Sequence, residues 1–320
     1  MRSPDKPREH FVTLFDSRFL PFGLTLYASL QGAAPNSHMW VICMDELVER
    51  QINQLGLPDV STIALSSMET DELRAVKSAR TVGEYCWTIT PFAAQAVFDR
   101  AEESERVTYL DSDLFFFSSP IEFFKEFEAS GKHVLITEHA YAPGLDRTEK
   151  NGRFCVQFMT FRRTRESLEV MQWWQNRCIE WCFDRLEDGK FGDQKYLDQW
   201  PTLFPTQVHV LRQVDKTLAP WNSDYFLTHR PFGHTPVFFH FQSFRILSET
   251  LARLYVGFSI GGQSMRLYEC YLAALKVQIA LLRRHGISVS KMPEPKRRLD
   301  MFRKLFMRLL GRVRYAKLDL

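Results

Sequence analysis

Two aspartates, Asp111 and Asp113, are separated by one serine and directly follow a short apolar run. That run, Arg106–Leu110, has the β-branched and aromatic residues that are typical of a strand. In open α/β sheets ligands bind beyond the carboxyl ends of the strands. Two carboxylates there could converge on one hard divalent cation such as Mn²⁺ or Mg²⁺. They could equally cap the next segment through Asx turns, so the pair alone leaves both interpretations open.

Strands and helices must alternate along the chain to position this pair. Apolar, β-prone runs predict strands at 11–15, 39–44, 63–65, 106–110, 134–137 and 154–161. Helical spacing of apolar residues predicts helices at 46–55, from Thr90-Pro91 to about Arg100, and from Glu166 to about Leu186. This βαβ alternation predicts an α/β fold with a mostly parallel sheet.

The composition excludes several classes of protein. With 45% hydrophobic residues, 25% charged residues, 15 Gly and 15 Pro, the 320-residue chain is neither collagen-like nor disordered. No stretch approaches the roughly 20 apolar residues of a spanning helix, and the first ten residues lack the apolar core of a signal peptide. We therefore expect a cytoplasmic protein, with its six scattered cysteines reduced.

Positive charge is concentrated at the carboxy-terminal end. Residues 291–320 hold ten Lys or Arg and three Asp or Glu, so residues 1–290 are net negative although the whole chain carries +3. We therefore expect no nucleic-acid partner. The patterns at 264–284 and 297–315 predict two helices, the second basic on one face and apolar on the other. That second helix could lie on an anionic membrane surface, at the inner face of the membrane, or pack on the domain; the sequence leaves both open.

The region around the acidic pair reads Y-L-D-S-D-L-F-F-F-S-S-P over residues 109–120. With this segment the chain resembles the GT-A nucleotide-sugar glycosyltransferases, particularly glycosyltransferase family 8 and its bacterial relatives. The resemblance covers about residues 10–245, and four more blocks follow the family's order. These blocks are Phe11–Asp16 with Tyr27–Leu30 downstream, Phe191–Leu197, Ala219–Asn222 and Phe239–Gln242.

The resemblance implies a Rossmann-like GT-A fold: a mixed, mostly parallel central sheet flanked by helices, with a carboxy-terminal helical extension. The expected organisation is a glycosyltransferase domain at 1–262, a helical extension at 263–290 and a basic amphipathic tail at 291–320. Within the domain, about 10–120 would bind the nucleotide sugar and about 130–250 the sugar and acceptor.

The resemblance also implies roles for single residues. Asp111, Asp113 and His240 would hold Mn²⁺ or Mg²⁺. Asp193 would grip the sugar hydroxyls and Gln194 would lie near the anomeric carbon, as the catalytic pair. The nucleotide and its diphosphate would contact Phe15, Asp16, Asp111, Ser112, Asp113 and Arg245, and the substrate would contact Gln157, Trp221 and Asn222. From the residues alone, His240 could be a core histidine, Asp193 a helix N-cap and Asp16 a turn residue.

The chain departs from the family pattern at Cys155-Val156-Gln157, where the family generally has an Asn followed by a small residue. A usual sugar contact of the family is then either missing or supplied by Gln157, and the identity of the donor is open. Cys155 is expected to be a buried thiol, because the sequence shows no histidine or cation adjacent to it.

The function that these observations favour is a metal-dependent glycosyltransferase of the hexosyltransferase type. It would move a sugar from a nucleoside diphosphate, with UDP favoured, to a hydroxyl of a glycan or lipid-linked saccharide, with retention at the anomeric carbon. One alternative is a catalytically silent glycan-binding or membrane-scaffold protein with the same fold. Another is a phosphatase of the haloacid-dehalogenase type, which the sequence disfavours because Leu114, and not Thr or Val, follows the second aspartate.

Overall fold

The computed structural model describes residues 8–229, 235–292, 307–308 and 310–318. The strands are β1 (Glu9–Phe15), β2 (Ser37–Cys43), β3 (Val60–Ala64), β4 (Arg106–Leu110), β5 (Leu114–Phe116), β6 (Val134–Glu138), β7 (Phe154–Arg162), β8 (Val208–Val210), β9 (Thr217–Leu218), β10 (Phe238–His240), β11 (Arg245–Ser248), β12 (Leu251–Val256) and β13 (Val313–Lys317). The helices are α1 (Leu20–Ala33), α2 (Glu46–Leu55), α3 (Asp71–Lys77), α4 (Val82–Ile89), α5 (Ala93–Phe98), α6 (Ile121–Ser130), α7 (Thr148–Asn151), α8 (Arg165–Glu180), α9 (Trp200–Leu203), α10 (Ser223–His229) and α11 (Gly262–Arg284).

Seven of the strands in the described residues form the central sheet, in the order β3-β2-β1-β4-β7-β6-β8. Strands β3, β2, β1 and β4 are parallel neighbours, whereas β7 runs antiparallel to both β4 and β6. The predicted mixed, mostly parallel sheet flanked by helices is confirmed.

Both faces of this sheet are covered, so its strands are apolar on both sides. In β1, Val12 and Leu14 pack on one face with α4, α5 and α8. The alternate residues Phe11 and Phe15 pack on the other face with α1, α2 and α6. Because successive side chains of a strand point to opposite faces, neighbouring residues of β1 lie in two separate cores. The carboxyl end of β4 lies between these two cores.

Two small sheets lie beyond the carboxyl end of β4. One has the order β5-β10-β9, and the other has the order β11-β12-β13. The helix predicted at 264–284 is present as α11, and it packs with β11 and β12 around Tyr268 and Tyr271. None of the helices in the described part of the chain is both long and apolar enough to cross a membrane.

The end of the helix predicted at 297–315 is wrong. Residues 297–306 lie outside the described residues, but Val313–Lys317 form β13, which pairs antiparallel with β12. The pairing buries Val313, and Leu318 follows it into the core around α11. Because Gly311 adopts a left-handed conformation (φ 64°), it ends any helix just before the strand.

Helix α8 also ends earlier than predicted. Its last residue is Glu180, six residues before the expected end at Leu186.

Gly23 of α1 is required by the ring of Phe15, because a Cβ at this position would overlap that ring. We expect Gly23→Ala to lower the free energy of unfolding by about 1–3 kcal/mol, the usual cost of overpacking a core. Gly32→Ala in the same helix is the matched control: a Cβ there meets nothing within 4 Å, so stability should be unchanged or slightly higher. Urea unfolding followed by circular dichroism measures both variants, and equal midpoints for Gly23→Ala and the wild type would contradict this packing.

Candidate metal centre and active site

The turn after β4 holds the acidic pair in a fixed orientation. The register of β4 with β7 places Gln157 beside this turn, and the amide of Asp111 donates to the carbonyl of Gln157 at 3.0 Å. The Tyr109 hydroxyl donates to Asp111 Oδ1 at 2.9 Å. Leu114 N donates to the Asp111 carbonyl at 3.2 Å and closes the turn. Ser112 lies in this turn, between the two carboxylates.

His240 reaches the acidic pair through the pairing of two short strands. In the β5–β10 ladder His240 is directly opposite Leu114, and Phe241 N donates to the Asp113 carbonyl at 2.9 Å. His240 Nε2 then lies 3.1 Å from Asp113 Oδ1 and 3.7 Å from Asp111 Oδ2. One ligand atom from each residue falls within 4.8 Å of the others. The predicted meeting of these three side chains is therefore present.

Gln157 fixes which nitrogen of His240 faces the carboxylates. The amide oxygen Oε1 of Gln157 lies 2.9 Å from His240 Nδ1, so Nδ1 carries the hydrogen and donates it. Nε2 then faces two carboxylate oxygens, and a lone pair there is repelled unless a proton or a cation lies between them. One imidazole nitrogen and two carboxylates suit Mn²⁺ or Mg²⁺, and a histidine held through its second nitrogen is typical of metal ligands.

Burial and the mutual contact of Asp111, Asp113 and His240 shift the pKa values of all three groups. Burial raises the pKa of Asp111 to about 7; the positive charge of His240 opposes this and the negative charge of Asp113 adds to it. Burial also acts on Asp113, but the charge and hydrogen bond of His240 outweigh it and lower that pKa. The pKa of His240 is raised well above its ordinary value, because the two carboxylates outweigh the effect of burial. A cation that binds here must therefore displace protons.

The predicted catalytic pair lies next to the acidic turn. Asp193 is only 5% exposed, and burial together with the charge of Asp111 raises its pKa well above the ordinary value. Its backbone carbonyl accepts from Trp174 Nε1 at 2.9 Å. Gln194 Nε2 donates to the carbonyl of Asn151 at 2.8 Å, which joins this segment to the end of α7. The catalytic roles of Asp193 and Gln194 stay predictions.

Trp221 and Asn222 form one wall of the site. The Trp221 ring lies edge-on to His240, with centroids 5.7 Å apart, and its Nε1 donates to the carbonyl of His139 at 2.6 Å. Asn222 Oδ1 accepts from Ala219 N at 2.8 Å, and Asn222 Nδ2 donates to the same His139 carbonyl at 3.0 Å. The amide of Asn222 therefore holds the loop in place. Direct contact of either side chain with a substrate stays a prediction.

His139 lies in the candidate site, and the sequence did not reveal it. It follows β6 directly, its ring stacks on Tyr141 with centroids 4.8 Å apart, and it is 4% exposed. Within the part of the chain that the structure describes, its Nδ1 has no hydrogen-bond partner. A lone histidine in a loop has no spacing signal, so only the β6–β7 register could have placed it here.

Cys155 is buried as predicted, but the expectation that no histidine adjoins it is wrong. Its thiol lies beside the imidazoles of both His139 and His240. Burial by itself would raise the pKa of the thiol, and the two imidazoles outweigh burial and lower that pKa to about 6. The cause is again nonlocal, since β6 and β10 bring the two histidines to β7.

The residues predicted to bind the nucleotide are engaged to different degrees by other groups of the protein. The ring of Phe15 packs into the core against α1, and its carbonyl accepts from Met44 N at 3.1 Å, so contact of Phe15 with a nucleotide stays a prediction. Asp16 is engaged by Arg18, whose Nε donates to Asp16 Oδ2 at 2.8 Å. Arg245 lies over the Phe19 ring, 5.4 Å from its centroid, and is attracted by Asp113. Burial nevertheless lowers the pKa of Arg245 from its ordinary value.

Known proteins resemble the chain in sequence and in fold. No protein-family model matches it. YfnD and YfnF, two uncharacterized proteins of Bacillus subtilis strain 168, are each 29% identical to it over 249 and 251 residues. The alignments cover 75% and 74% of this chain and 79% and 82% of those proteins.

Among solved structures, the apo form of the glycosyltransferase GlyE of Streptococcus pneumoniae TIGR4 matches with a TM-score of 0.51 and 15% identity. The bifunctional glycosyltransferase WbbM matches with a TM-score of 0.50 and 13% identity. These alignments cover 91% and 89% of this chain, but only 66% of GlyE and 53% of WbbM. The fold of the chain is thus the GT-A fold of glycosyltransferases.

Metal affinity should depend on pH in a definite direction. Since Asp111 has a pKa of about 7 and must be ionised to bind a cation, Mn²⁺ affinity should fall as the pH is lowered through 7. Protonation of His240, whose pKa is also raised, acts in the same direction. Calorimetric titrations at pH 5.5, 6.5 and 7.5 measure this dependence, and equal Mn²⁺ affinity at all three would contradict it.

Gln157→Leu should weaken Mn²⁺ binding by about 10- to 100-fold, the usual cost of losing the group that orients a metal-ligating histidine. Thr160→Val, also on β7, is the matched control, since it removes a buried contact with the Thr108 hydroxyl away from the three ligands. Calorimetry with Mn²⁺ measures both variants. Wild-type affinity in Gln157→Leu would show that His240 does not depend on this contact.

Proposed function

We propose that the protein is a metal-dependent glycosyltransferase. It transfers a sugar from a nucleoside diphosphate, UDP in the first instance, to a hydroxyl of a glycan or lipid-linked saccharide, with retention at the anomeric carbon. The observation that carries this proposal is the Asp111, Asp113 and His240 cluster at the carboxyl end of β4, where an α/β sheet binds its ligands. A fold alone does not determine an activity, so the chemistry of this cluster is the necessary second support.

The three ligand side chains would hold Mn²⁺ or Mg²⁺ beside the donor diphosphate. When bound, the ion would stabilise the negative charge that develops on the departing diphosphate. The guanidinium of Arg245, half-buried and close to Asp113, would bind the same diphosphate. Its charge acts more strongly there than in bulk water because the surroundings are largely protein.

The other site residues would bind and orient the sugar. Asp193 would grip its hydroxyls, and Gln194, tied to Asn151, would lie near the anomeric carbon. Gln157 would orient His240 and would reach the sugar only with the part of its amide that His240 leaves free. Trp221 and the loop at His139 would exclude water from the reacting bond. Nothing in this arrangement requires a carboxylate nucleophile, which is consistent with attack by the acceptor on the face that the diphosphate leaves.

We also propose the domain organisation and location expected from the sequence: a transferase domain at 1–262, a helical extension at 263–290 and a tail at 291–320, in a cytoplasmic protein that binds the inner membrane face. Exposed cations of the described tail residues support the membrane contact; they are Arg308, Arg312, Arg314 and Lys317. In this proposal the membrane contact does not involve a helix after Gly311, because residues Val313–Lys317 form strand β13.

The test is release of UDP from a panel of UDP-sugars in the presence of Mn²⁺. Asp113→Asn should reduce turnover by at least about 100-fold, since it removes a direct ligand of the ion that stabilises the leaving group. Asp99→Asn, at an exposed aspartate just after α5, is the matched control and should behave as the wild type.

Two outcomes would contradict the proposal. Unchanged turnover in Asp113→Asn would exclude the ligand role. Tight binding of UDP with Mn²⁺, but no hydrolysis or transfer from any donor, would instead favour the silent glycan-binding alternative. That alternative has one specific feature in its support, the Cys155 that replaces the family's Asn.

A further inference from the structure

The loop that follows β1 carries an ion pair at the predicted nucleotide site. Arg18 donates from both Nε and Nη2 to one oxygen of Asp16, Oδ2, and the Nε contact is 2.8 Å long. The other oxygen, Oδ1, accepts from the backbone amide of Arg18 at 3.0 Å. The side chain of Asp16 is only 9% exposed, whereas that of Arg18 is 48% exposed. A half-exposed guanidinium therefore occupies the carboxylate that the nucleotide is predicted to contact.

The backbone of this loop is held independently of the ion pair. Ser17 N donates to Asp45 Oδ2 at 2.9 Å, and Asp45 is itself the N-cap of α2. Phe19 N donates to the Asp16 carbonyl at 2.9 Å. The Arg18 side chain can therefore leave Asp16 without moving the loop, and the Arg18 amide remains on Oδ1.

A second arginine links this loop to the candidate metal centre. The guanidinium of Arg245 lies 5.4 Å from the centroid of the Phe19 ring, and Phe19 directly follows Arg18. Burial lowers the pKa of Arg245; the charge of Asp113 opposes this, and the charges of Arg253 and Arg18 add to it. Since β1 and β4 are parallel neighbours, the loop and the acidic turn lie at the same edge of the sheet. Two arginines thus repel each other where the donor diphosphate is proposed to bind.

A nucleoside diphosphate offers a new partner to each member of the ion pair. A carboxylate only accepts hydrogen bonds, so the two neighbouring hydroxyls of a ribose can replace the two N–H groups of Arg18 on Asp16. A guanidinium binds phosphate oxygens through paired, charge-assisted hydrogen bonds. A diphosphate beside both arginines would also offset their repulsion. Because a half-exposed ion pair contributes little stability, the exchange costs little.

We propose that Arg18 exchanges partners when the donor binds: its guanidinium leaves Asp16 for the diphosphate, beside Arg245, and Asp16 then accepts from the ribose hydroxyls. This inference rests on the proposed function and adds to it a residue that selects the donor. A nucleoside without phosphates must break the same ion pair and offers Arg18 no replacement. The exchange therefore favours nucleoside diphosphates over nucleosides.

The experiment compares the affinity for UDP with the affinity for uridine, both in the presence of Mn²⁺. Calorimetry measures UDP binding, and ligand-observed NMR measures the weaker binding of uridine. The variant is Arg18→Gln. Arg74→Gln is the matched control, because the side chain of Arg74 is 52% exposed and also pairs with an aspartate of its own segment, Asp71 on α3.

We expect Arg18→Gln to bind UDP about tenfold or more weakly than the wild type, the usual effect of losing a charge-assisted hydrogen bond to phosphate. The same variant should bind uridine about two- to fivefold more tightly, since the ribose no longer competes with a half-exposed ion pair. A purely structural role of Arg18 would change both affinities in the same direction. Arg74→Gln should bind both ligands as the wild type does.

Asp16→Asn tests the exchange from the other side, and it decides the matter if Arg18→Gln fails to fold. The variant should bind uridine more weakly, because an uncharged amide is a poorer acceptor for the ribose hydroxyls. UDP binding should weaken less, because Arg18 is released to the diphosphate. The ratio of UDP affinity to uridine affinity should therefore rise in Asp16→Asn and fall in Arg18→Gln.

Four results would overturn the inference. They are unchanged affinities in Arg18→Gln, a loss of both affinities in that variant, a loss of UDP affinity without a gain in uridine affinity, or a ratio in Asp16→Asn no higher than that of the wild type. Binding of UDP with Mn²⁺ by the wild type is read separately. Its absence would refute the proposed function, whereas UDP binding with any of these four results would refute only the exchange by Arg18.

Discussion

The pairing of β5 with β10 is the contact on which the site depends. This short ladder, continued by the hydrogen bond from Phe241 N to the Asp113 carbonyl, brings His240 to the acidic turn from a distant part of the chain. Closing so long a loop costs conformational entropy. The aromatic core around Phe116, Phe158 and Phe238 offsets this cost, because burial of these rings fixes both strands against β7.

The same pairing gives the candidate metal centre its electrostatic character. Two carboxylates and an imidazole share a small, partly buried volume, where an uncompensated charge is expensive. Protons on Asp111 and His240 relieve this cost in the free protein, and a divalent cation would relieve it in the bound protein. Gln157 and the Asp111 amide tie the arrangement to β7, so that a single strand positions both the acidic turn and the histidine.

Local patterns in the sequence predicted much of the fold. The strands at 11–15, 106–110 and 154–161 and the helix at 264–284 were found correctly because each is a periodic apolar segment. The end of the predicted 297–315 helix failed because V-R-Y-A-K pairs with a strand that is far away in sequence, and pairing overrides the helical spacing of its apolar residues. The reversed direction of β7 was also not predicted, since periodicity carries no information on strand direction.

The meeting of the three candidate ligands was predicted from the position of the acidic pair after a strand together with the motifs that carry the resemblance. Asp111, Asp113 and His240 meet as expected, whereas the contact of Gln157 with His240 and the position of His139 against Cys155 depend on registers between strands that no local pattern specifies.

A crystal of the protein grown with UDP and Mn²⁺, measured at a wavelength where manganese scatters anomalously, tests the central claim most directly. The account predicts one anomalous peak at coordination distance, about 2 Å, from a carboxylate oxygen of Asp111, one of Asp113 and Nε2 of His240. An anomalous peak elsewhere, or nucleotide bound with no peak at these three side chains, would contradict it.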